Sequence, residues 1–296
     1  LQIAHGPFGR VALLDMDRGL VRHAHPHCHV LIKVEGDDTQ FVVGDRKVSL
    51  TDEQAVLINA WETHAYVHDP RRARATILAL YIEPSWLGTF HRDWAASGAP
   101  GFFRQPAGTV TPAIRWLAQD LAVEMVHAPD SLHVQSELLP KLMISMVERF
   151  ATWRDSAVSL RDAGRWHPDW RIRRAIEWMR GGPETWGVDD LAREAGVSRA
   201  HFYRLFERSM GASPHVFLNA NRVERAVEAI LRGGESLATV GARLGFAAPA
   251  HFSRFFRDHV SVPPSAFRAR SCHPRSATIL RRFGNSRDPK ISPGAV

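Results

Sequence analysis

"DDLAREAGVSRAHFYRLFERSMGASPHVF", residues 189–217, returns in altered form as "ATVGARLGFAAPAHFSRFFRDHVSVPPSAF", residues 238–267. The copies are offset by 49 residues at Gly196 and Gly245 and by 50 from His201 and His251 onward, so the second carries one extra residue in its turn. Such self-similarity means one structural unit used twice. Each copy reads as a short helix, a glycine-containing turn and a second helix. In the first, Leu191, Ala192 and Ala195 form an inner face, and Gly196 supplies a turn that other residues resist. Ser198 is placed to cap the next helix, whose Phe202, Leu205 and Phe206 point inward, leaving Arg199, Ala200, Tyr203 and Arg204 outside. In the second, Val240, Leu244, Phe246, Phe252, Phe255 and Phe256 are inner, and Pro249, Ala250, Ser253 and Arg254 are outer. A helix with an aromatic inner face and an exposed arginine meets the needs of a helix-turn-helix recognition helix.

The segment between the copies strengthens that reading. Ser213 and Pro214 form a cap and first-turn pair, and "HVFLNANRVERAVEAILRGG" continues as a helix to Gly233, about 20 residues or roughly 30 Å. One turn of B-DNA is roughly 34 Å, so this rod is long enough to set two recognition helices into successive major grooves. A helical repeat with merely solvated arginines has no need of that spacing.

Charge divides along the chain in the same sense. The whole carries +7, but residues 1–164 hold 16 Lys and Arg against 19 Asp and Glu, residues 165–270 hold 17 against 11, and residues 271–296 hold 5 against 1. An acidic front and a basic back point to a polyanionic partner for the back half. The 296 residues suffice for two ordinary domains, and a 45% hydrophobic content is normal for globular cores. With two distant cysteines, Cys28 and Cys272, no disulfide framework is indicated. The sequence shows neither an 18-residue apolar run nor a signal-peptide pattern, so a cytoplasmic location is expected.

The front half reads as strands. "RVALLDM", "HVLIKVEG", "TQFVVGDRKVSL", "QAVLINAW" and "ATILALYIEP" are short runs of Val, Ile, Leu and Phe between turn signals, and the third contains a hairpin at Gly44, Asp45 and Arg46. Strands so spaced suggest a barrel or sandwich. From about residue 111 the period changes to 3.6: "TPAIRWLAQDLAVEMV" puts Ile114, Leu117, Leu121 and Met125 on one stripe, and "LHVQSELLPKLMISMVERF" makes a second amphipathic stretch, bent or interrupted at Pro140. The pair either caps the barrel or offers a second seam to another subunit. "RDSAVSLRDAGRWHP", residues 154–168, reads as a linker. The expected division is a front domain at 1–160, a second domain at 165–270 and a basic tail at 271–296.

"HAHPHCHVLIKVEG", residues 23–36, places His23, His25, His27 and His29 at every second position, with Glu35 on the same parity. In an extended strand these side chains share one face. Pro26 disturbs regular pairing, so the outer histidines can instead stand at the mouth of the barrel. Three readings stay open: a divalent-metal shell, a metal-free polar pocket wall, and a solvated rim.

Residues 168–270 resemble the DNA-binding domain of AraC/XylS-type transcription regulators. The resemblance rests on "LAREAGVSRAHFYRLFERSMGASPHVFLNANRVERA" and "VGARLGFAAPAHFSRFFRDHVSVPPSAFR". It implies recognition helices beginning near Ser198 and Ala248 in adjacent major grooves, with DNA met by Arg199, Ala200, Tyr203 and Arg204, then Pro249, Ala250, His251, Ser253 and Arg254. The chain departs from the family at "AAPA", 247–250, which offers no side-chain donor, at Ser261 in place of a glycine, and at Pro263 in place of a capping serine. The front half resembles the cupin-like sensor domains of such regulators through "HAHPHCHVLIKVEG" and "INAWETHAYVH".

The resemblance implies an α+β protein: a cupin-like β-barrel with appended helices, then an all-α domain of two helix-turn-helix units joined by a long helix. His27, His29, Trp61, Glu62 and His64 are the expected effector pocket, and His27, His29, Glu35 and His64 are the nearest match to a metal-cupin ligand set, although no metal or cofactor is expected. The expected function is sequence-specific transcription regulation, as an activator answering a small-molecule effector. Its partners would be duplex promoter DNA, the effector, RNA polymerase and a second copy of the chain. The competing classes are a metal-dependent cupin enzyme with secondary DNA binding, and a constitutive DNA-binding protein with a purely structural barrel.

Overall fold

The computed structural model describes residues 2–99, 101–128, 137–151, 169–183 and 186–271. The expected linker at 154–168, the boundary between 160 and 165, the tail beyond Ser271 and Cys272 lie outside the described residues.

The front half is built of β1 (Gln2–Gly6), β2 (Gly9–Met16), β3 (Cys28–Gly36), β4 (Thr39–Val43), β5 (Arg46–Leu50), β6 (Gln54–Ile58), β7 (His64–Val67), β8 (Ala75–Ile82) and β9 (Ala107–Thr109). They form a six-stranded sheet in the order β1-β2-β8-β3-β6-β9 and a three-stranded sheet in the order β5-β4-β7. Alternation decides what each face buries. On β3, Cys28, Val30 and Ile32 enter one core, whereas Leu31 enters the other, with His29 and Lys33 on its parity. The first core is closed by helices and the second by the three-stranded sheet, whose Phe41, Val43, Val48, Leu50 and Tyr66 fill the space between the sheets. The expected hairpin is present, with Val43 opposite Arg46 across Gly44 and Asp45.

The expected closed barrel is corrected to two packed sheets. A barrel needs its edge strands to pair, and both edges of the large sheet are otherwise committed or short. Ile3 on β1 bridges in parallel to Ser271 at the end of the helical domain, and β9 has three residues.

Helices α1 (Pro84–Leu87), α2 (Pro112–His127) and α3 (Leu139–Phe150) follow, with a 3-10 segment at Arg92–Gly98. The Thr111 hydroxyl accepts from the Ile114 N–H at 3.2 Å, and Pro112 stands in the first turn, where its missing N–H costs nothing. The stripe Ile114, Leu117, Leu121 and Met125 is buried on the outer face of the large sheet. Pro140 likewise stands at the start of α3 instead of bending its middle. Leu121 and Met146 are both core, and the exposed apolar side of α2 is made by Trp116, Val123 and Val126.

The back half contains α4 (Trp170–Gly181), α5 (Val188–Glu194), α6 (Arg199–Met210), α7 (Pro214–Arg232), α8 (Leu237–Arg243), α9 (Pro249–Val260) and α10 (Pro264–Arg270). Four residues, 195–198, join α5 to α6 and five, 244–248, join α8 to α9, which is the extra residue of the second copy. Gly196 and Gly245 turn at φ 67° and 84°. Phe202, Leu205 and Phe206 are buried as expected; in the second unit Phe252 and Phe256 are buried, while Phe246 and Phe255 are half-buried. Helix α7 serves both units: Phe217, Leu218 and Ala220 belong to the first core, and Val223, Val227 and Ile230 to the second. Ser213 precedes it in extended backbone, but its side chain makes no capping bond; Pro214 alone sets the start.

Candidate functional site

Helices α6 and α9 present the residues expected to meet DNA. Arg199, Ala200 and Arg204 are exposed and Tyr203 is half-exposed; on α9, Pro249, Ala250, His251 and Arg254 are exposed and Ser253 is half-exposed. The Ser198 hydroxyl accepts from the His201 N–H, fixing the start of α6, whereas α9 starts at Ala248 with no side-chain cap. Arg199 is engaged: its Nη1 donates to both carboxylate oxygens of Asp189 at 2.9 Å, and its guanidinium lies 5.8 Å from the Tyr203 ring. Arg204 and Arg254 make no ion pair among the described residues, which leaves both guanidinium forks available for a phosphate or a guanine edge.

The histidine run folds differently from an extended strand. Strand β3 begins only at Cys28, and residues 24–27 loop out at Pro26. Of the four histidines only His29 therefore lies on the strand. His23 instead exchanges main-chain hydrogen bonds with His64 on β7, N to O at 2.9 and 2.8 Å. This brings His23, His25, His29 and His64 together as a buried cluster. The ring centroids of His23 and His64 are 4.3 Å apart, and those of His25 and His29 are 4.8 Å apart. Desolvation by burial, reinforced by the neighbouring imidazoles, holds His23, His25 and His29 well below the ordinary histidine range; burial brings His64 down to about 4. The cluster is a neutral set of nitrogen donors and acceptors.

The other expected contributors are elsewhere. His27 is engaged apart from them, its Nε2 3.4 Å from Glu83 and its ring centroid 6.3 Å from that of His25. Glu35 is exposed at the far end of β3, opposite Thr76. The set His27, His29, Glu35 and His64 is thus not assembled, because a register shift between Lys33 and Glu35 breaks the alternation that would align it. Trp61, at φ 65°, points away from the histidines and stacks on Phe217 of α7, centroids 4.5 Å apart at 7°. Glu62 folds back to accept from the Asn59 N–H and side-chain amide at 2.9 and 3.0 Å. The expected five-residue pocket is therefore two places. One is a cleft of about 310 Å³ between Asn59–Glu62 and the end of α6 at Ser209 and Met210. The other is the histidine cluster, which faces a water-sized space lined also by Arg10, Tyr81, Glu224 and His259.

Both places lie on the seam between the halves, which sequence reasoning did not foresee. The Arg10 guanidinium stacks 4.1 Å from the centroid of Tyr81 and reaches Glu224 of α7 at 3.7 Å; Tyr81 in turn stacks on His29, centroids 4.1 Å apart. The Val21 N–H donates to the Asp258 carbonyl of α9 at 3.3 Å. Residues so remote in sequence carry no local signal of their pairing.

Comparison with known proteins places these features. Residues 13–141 match a family described as the AraC-like ligand binding domain, and residues 191–270 match a helix-turn-helix domain family. The chain is 28% identical over 131 residues to the HTH-type transcriptional regulator MtrA of Neisseria gonorrhoeae, covering 44% of each chain. It is 27% identical over 184 residues to a protein named as an AraC-like transcription regulator in Streptomyces lividans, covering 61% of this chain and 60% of the other. The matches thus span 44% and 60% of these relatives' own lengths. In fold the chain is similar to crystalline apo ToxT of Vibrio cholerae, with a TM-score of 0.54 and 13% identity over 90% of this chain and 98% of that one.

Proposed function

We propose that this chain, which belongs to the AraC-type regulators by both its ligand-binding and its helix-turn-helix domain, regulates transcription by seating α6 and α9 in successive major grooves of promoter DNA while the front domain answers a small effector. The observation that carries the reading is the seam. The front domain rests on α7, the helix shared by both DNA-reading units, through the Trp61–Phe217 stack and the Arg10–Glu224 ion pair. A ligand that alters the front domain has a direct mechanical route to the spacing of the recognition helices.

The cleft at Trp61 and Glu62 is the favoured effector site, because an aromatic residue and a carboxylate line it and it borders the last turn of α6. In this reading the protein acts in the cytoplasm, where the promoter is. It dimerises through the exposed Trp116, Val123 and Val126 of α2, and as an activator it works beside RNA polymerase. Among the described residues no helix is long and apolar enough to cross a membrane.

The test is selection of duplex sites from random DNA by the full chain, followed by binding measurements across a salt series. A defined two-part site bound at least about a thousandfold more tightly than random DNA, with affinity falling steeply as salt rises, is expected. Equal affinity for selected and random duplex at physiological salt would overturn the reading. For the effector, a thermal-shift screen of small molecules should yield compounds whose stabilisation is lost in Glu62→Gln.

A further inference from the structure

The histidine cluster is unexplained by DNA reading or by the cleft at Trp61. Three of its members, His23, His25 and His64, each offer a ring nitrogen, and these nitrogens lie within 4.8 Å of one another. Each ring is also held by a main-chain carbonyl. Nδ1 of His23 donates to Val21 O at 2.8 Å, Nδ1 of His25 to His27 O at 3.0 Å, and Nδ1 of His64 to Glu62 O at 3.0 Å. A carbonyl only accepts, so in each neutral ring the proton is on Nδ1 and the lone pair on Nε2.

For His64 that lone pair has no partner within the protein. Nε2 of His64 is buried without a hydrogen-bond partner, and so is Nε2 of the neighbouring His29. His64 and His29 are 1% and 3% exposed, so water does not relieve them from outside. His25 spends its Nε2 on His29 Nδ1 at 3.0 Å. Buried imidazoles with carbonyl-anchored Nδ1 protons and Nε2 lone pairs turned toward one another form the arrangement in which histidine ligates a metal, the carbonyl fixing tautomer and ring direction.

We propose that His23, His25 and His64 bind one divalent late first-row transition ion, represented by zinc, through their Nε2 atoms. The donor set decides the class. Neutral imidazoles suit zinc, cobalt, nickel and copper, whereas calcium and magnesium need oxygen ligands that this cluster lacks. Loading replaces the His25–His29 hydrogen bond. The ion ties the segment carrying His23 to β7, next to the point where Val21 meets Asp258 of α9.

The inference goes beyond the effector reading and is tested without DNA. The untagged full chain is stripped with a chelator and titrated with cobalt(II), whose visible bands report ligand number, and zinc is then used to displace it. One ion per chain is expected, with an affinity reduced at least about tenfold in His25→Gln and in His64→Gln and unchanged in His27→Gln, whose ring lies outside the cluster. X-ray absorption of the zinc-loaded wild-type chain should show imidazole nitrogens at about 2.0–2.1 Å, a measurement that stands even if a substituted chain does not fold. Absence of stoichiometric binding, binding retained in both His25→Gln and His64→Gln, or a zinc shell without imidazole would each overturn the proposal.

Discussion

Ser261 closes α9 with φ 66°, in the left-handed region, at the place where Gly211 closes α6 with φ 67°. A side chain there crowds the carbonyl that follows, at a cost of about 1–2 kcal/mol that glycine avoids. Ser261→Gly should therefore stabilise the chain by about 0.5–1 kcal/mol, after allowing for the greater freedom of glycine when unfolded, and Gly211→Ser should cost about as much. Urea midpoints of the two variants check both signs. Cys28 offers a second residue-scale test. Desolvation pushes its thiol up to about 12, and only the thiolate is a nucleophile, so at pH 8 the group is protonated and shielded. In a Cys272→Ala background, iodoacetamide should leave the native chain unlabelled at pH 8 and label it fully in urea; rapid native labelling would refute the burial. At this scale the sequence is most legible where the constraint is local. Gly196 and Gly245 announce their turns because only the backbone of a few neighbours sets φ. His23 and His64 do not announce each other, since 40 residues lie between them and Pro26 breaks the alternation on which a strand reading of the run rests.

Among the elements, the two recognition helices are alike in position and unlike in what they offer. Arg204 and Arg254 are both exposed, and each is able to pair with the O6 and N7 of guanine, worth about 1–3 kcal/mol of discrimination. Around Arg204 stand Tyr203 and an Arg199 already held by Asp189, whereas "AAPA" before Arg254 offers methyl and ring contacts only. Arg204→Ala should abolish sequence preference in the half-site read by α6, while Arg254→Ala weakens binding with a smaller loss of preference. Site selection with each variant measures both, and a second half-site specified as sharply as the first would contradict the asymmetry. The strands show why some elements can be read and others not. β2, β3, β6 and β8 carry long runs of buried aliphatics, because the large sheet is covered on both faces, and the β4–β5 hairpin carries its own turn. β7 and β9 are four and three residues long and are paired by distant partners, β7 by β4 and His23 and β9 by β6, while the five-residue β1 forms a tight hairpin with β2, Gly6 opposite Gly9, and bridges to the remote Ser271.

Over the whole molecule, the seam determines whether the two halves behave as one. Ile3 meets Ser271, Val21 meets Asp258, Arg10 meets Glu224, and Trp61 lies flat on Phe217, which is itself fully buried in the first helix-turn-helix core. Trp61 is 5% exposed although it belongs to the front domain, so its ring is buried only by the presence of the other half. Its backbone is held at φ 65°, a conformation that costs a bulky residue free energy and persists only where packing over-determines it. The stack is thus the contact through which the stability of one half reports on the other. Trp61→Ala removes the ring, leaves a cavity against Phe217 and should destabilise the seam by about 3 kcal/mol, near the lower end for a buried tryptophan because the cleft beside it admits water. Calorimetry of the wild-type chain should therefore show one cooperative transition and Trp61→Ala two, the lower in temperature belonging to the half with the smaller core. Glu224→Gln, which leaves the buried Arg10 guanidinium stacked on Tyr81 but without its carboxylate, should lower the transition without splitting it. A single unchanged transition in Trp61→Ala would mean that the halves are coupled elsewhere, and the route from front domain to recognition helices would have to run through the other seam contacts, Arg10–Glu224, Val21–Asp258 and Ile3–Ser271, instead.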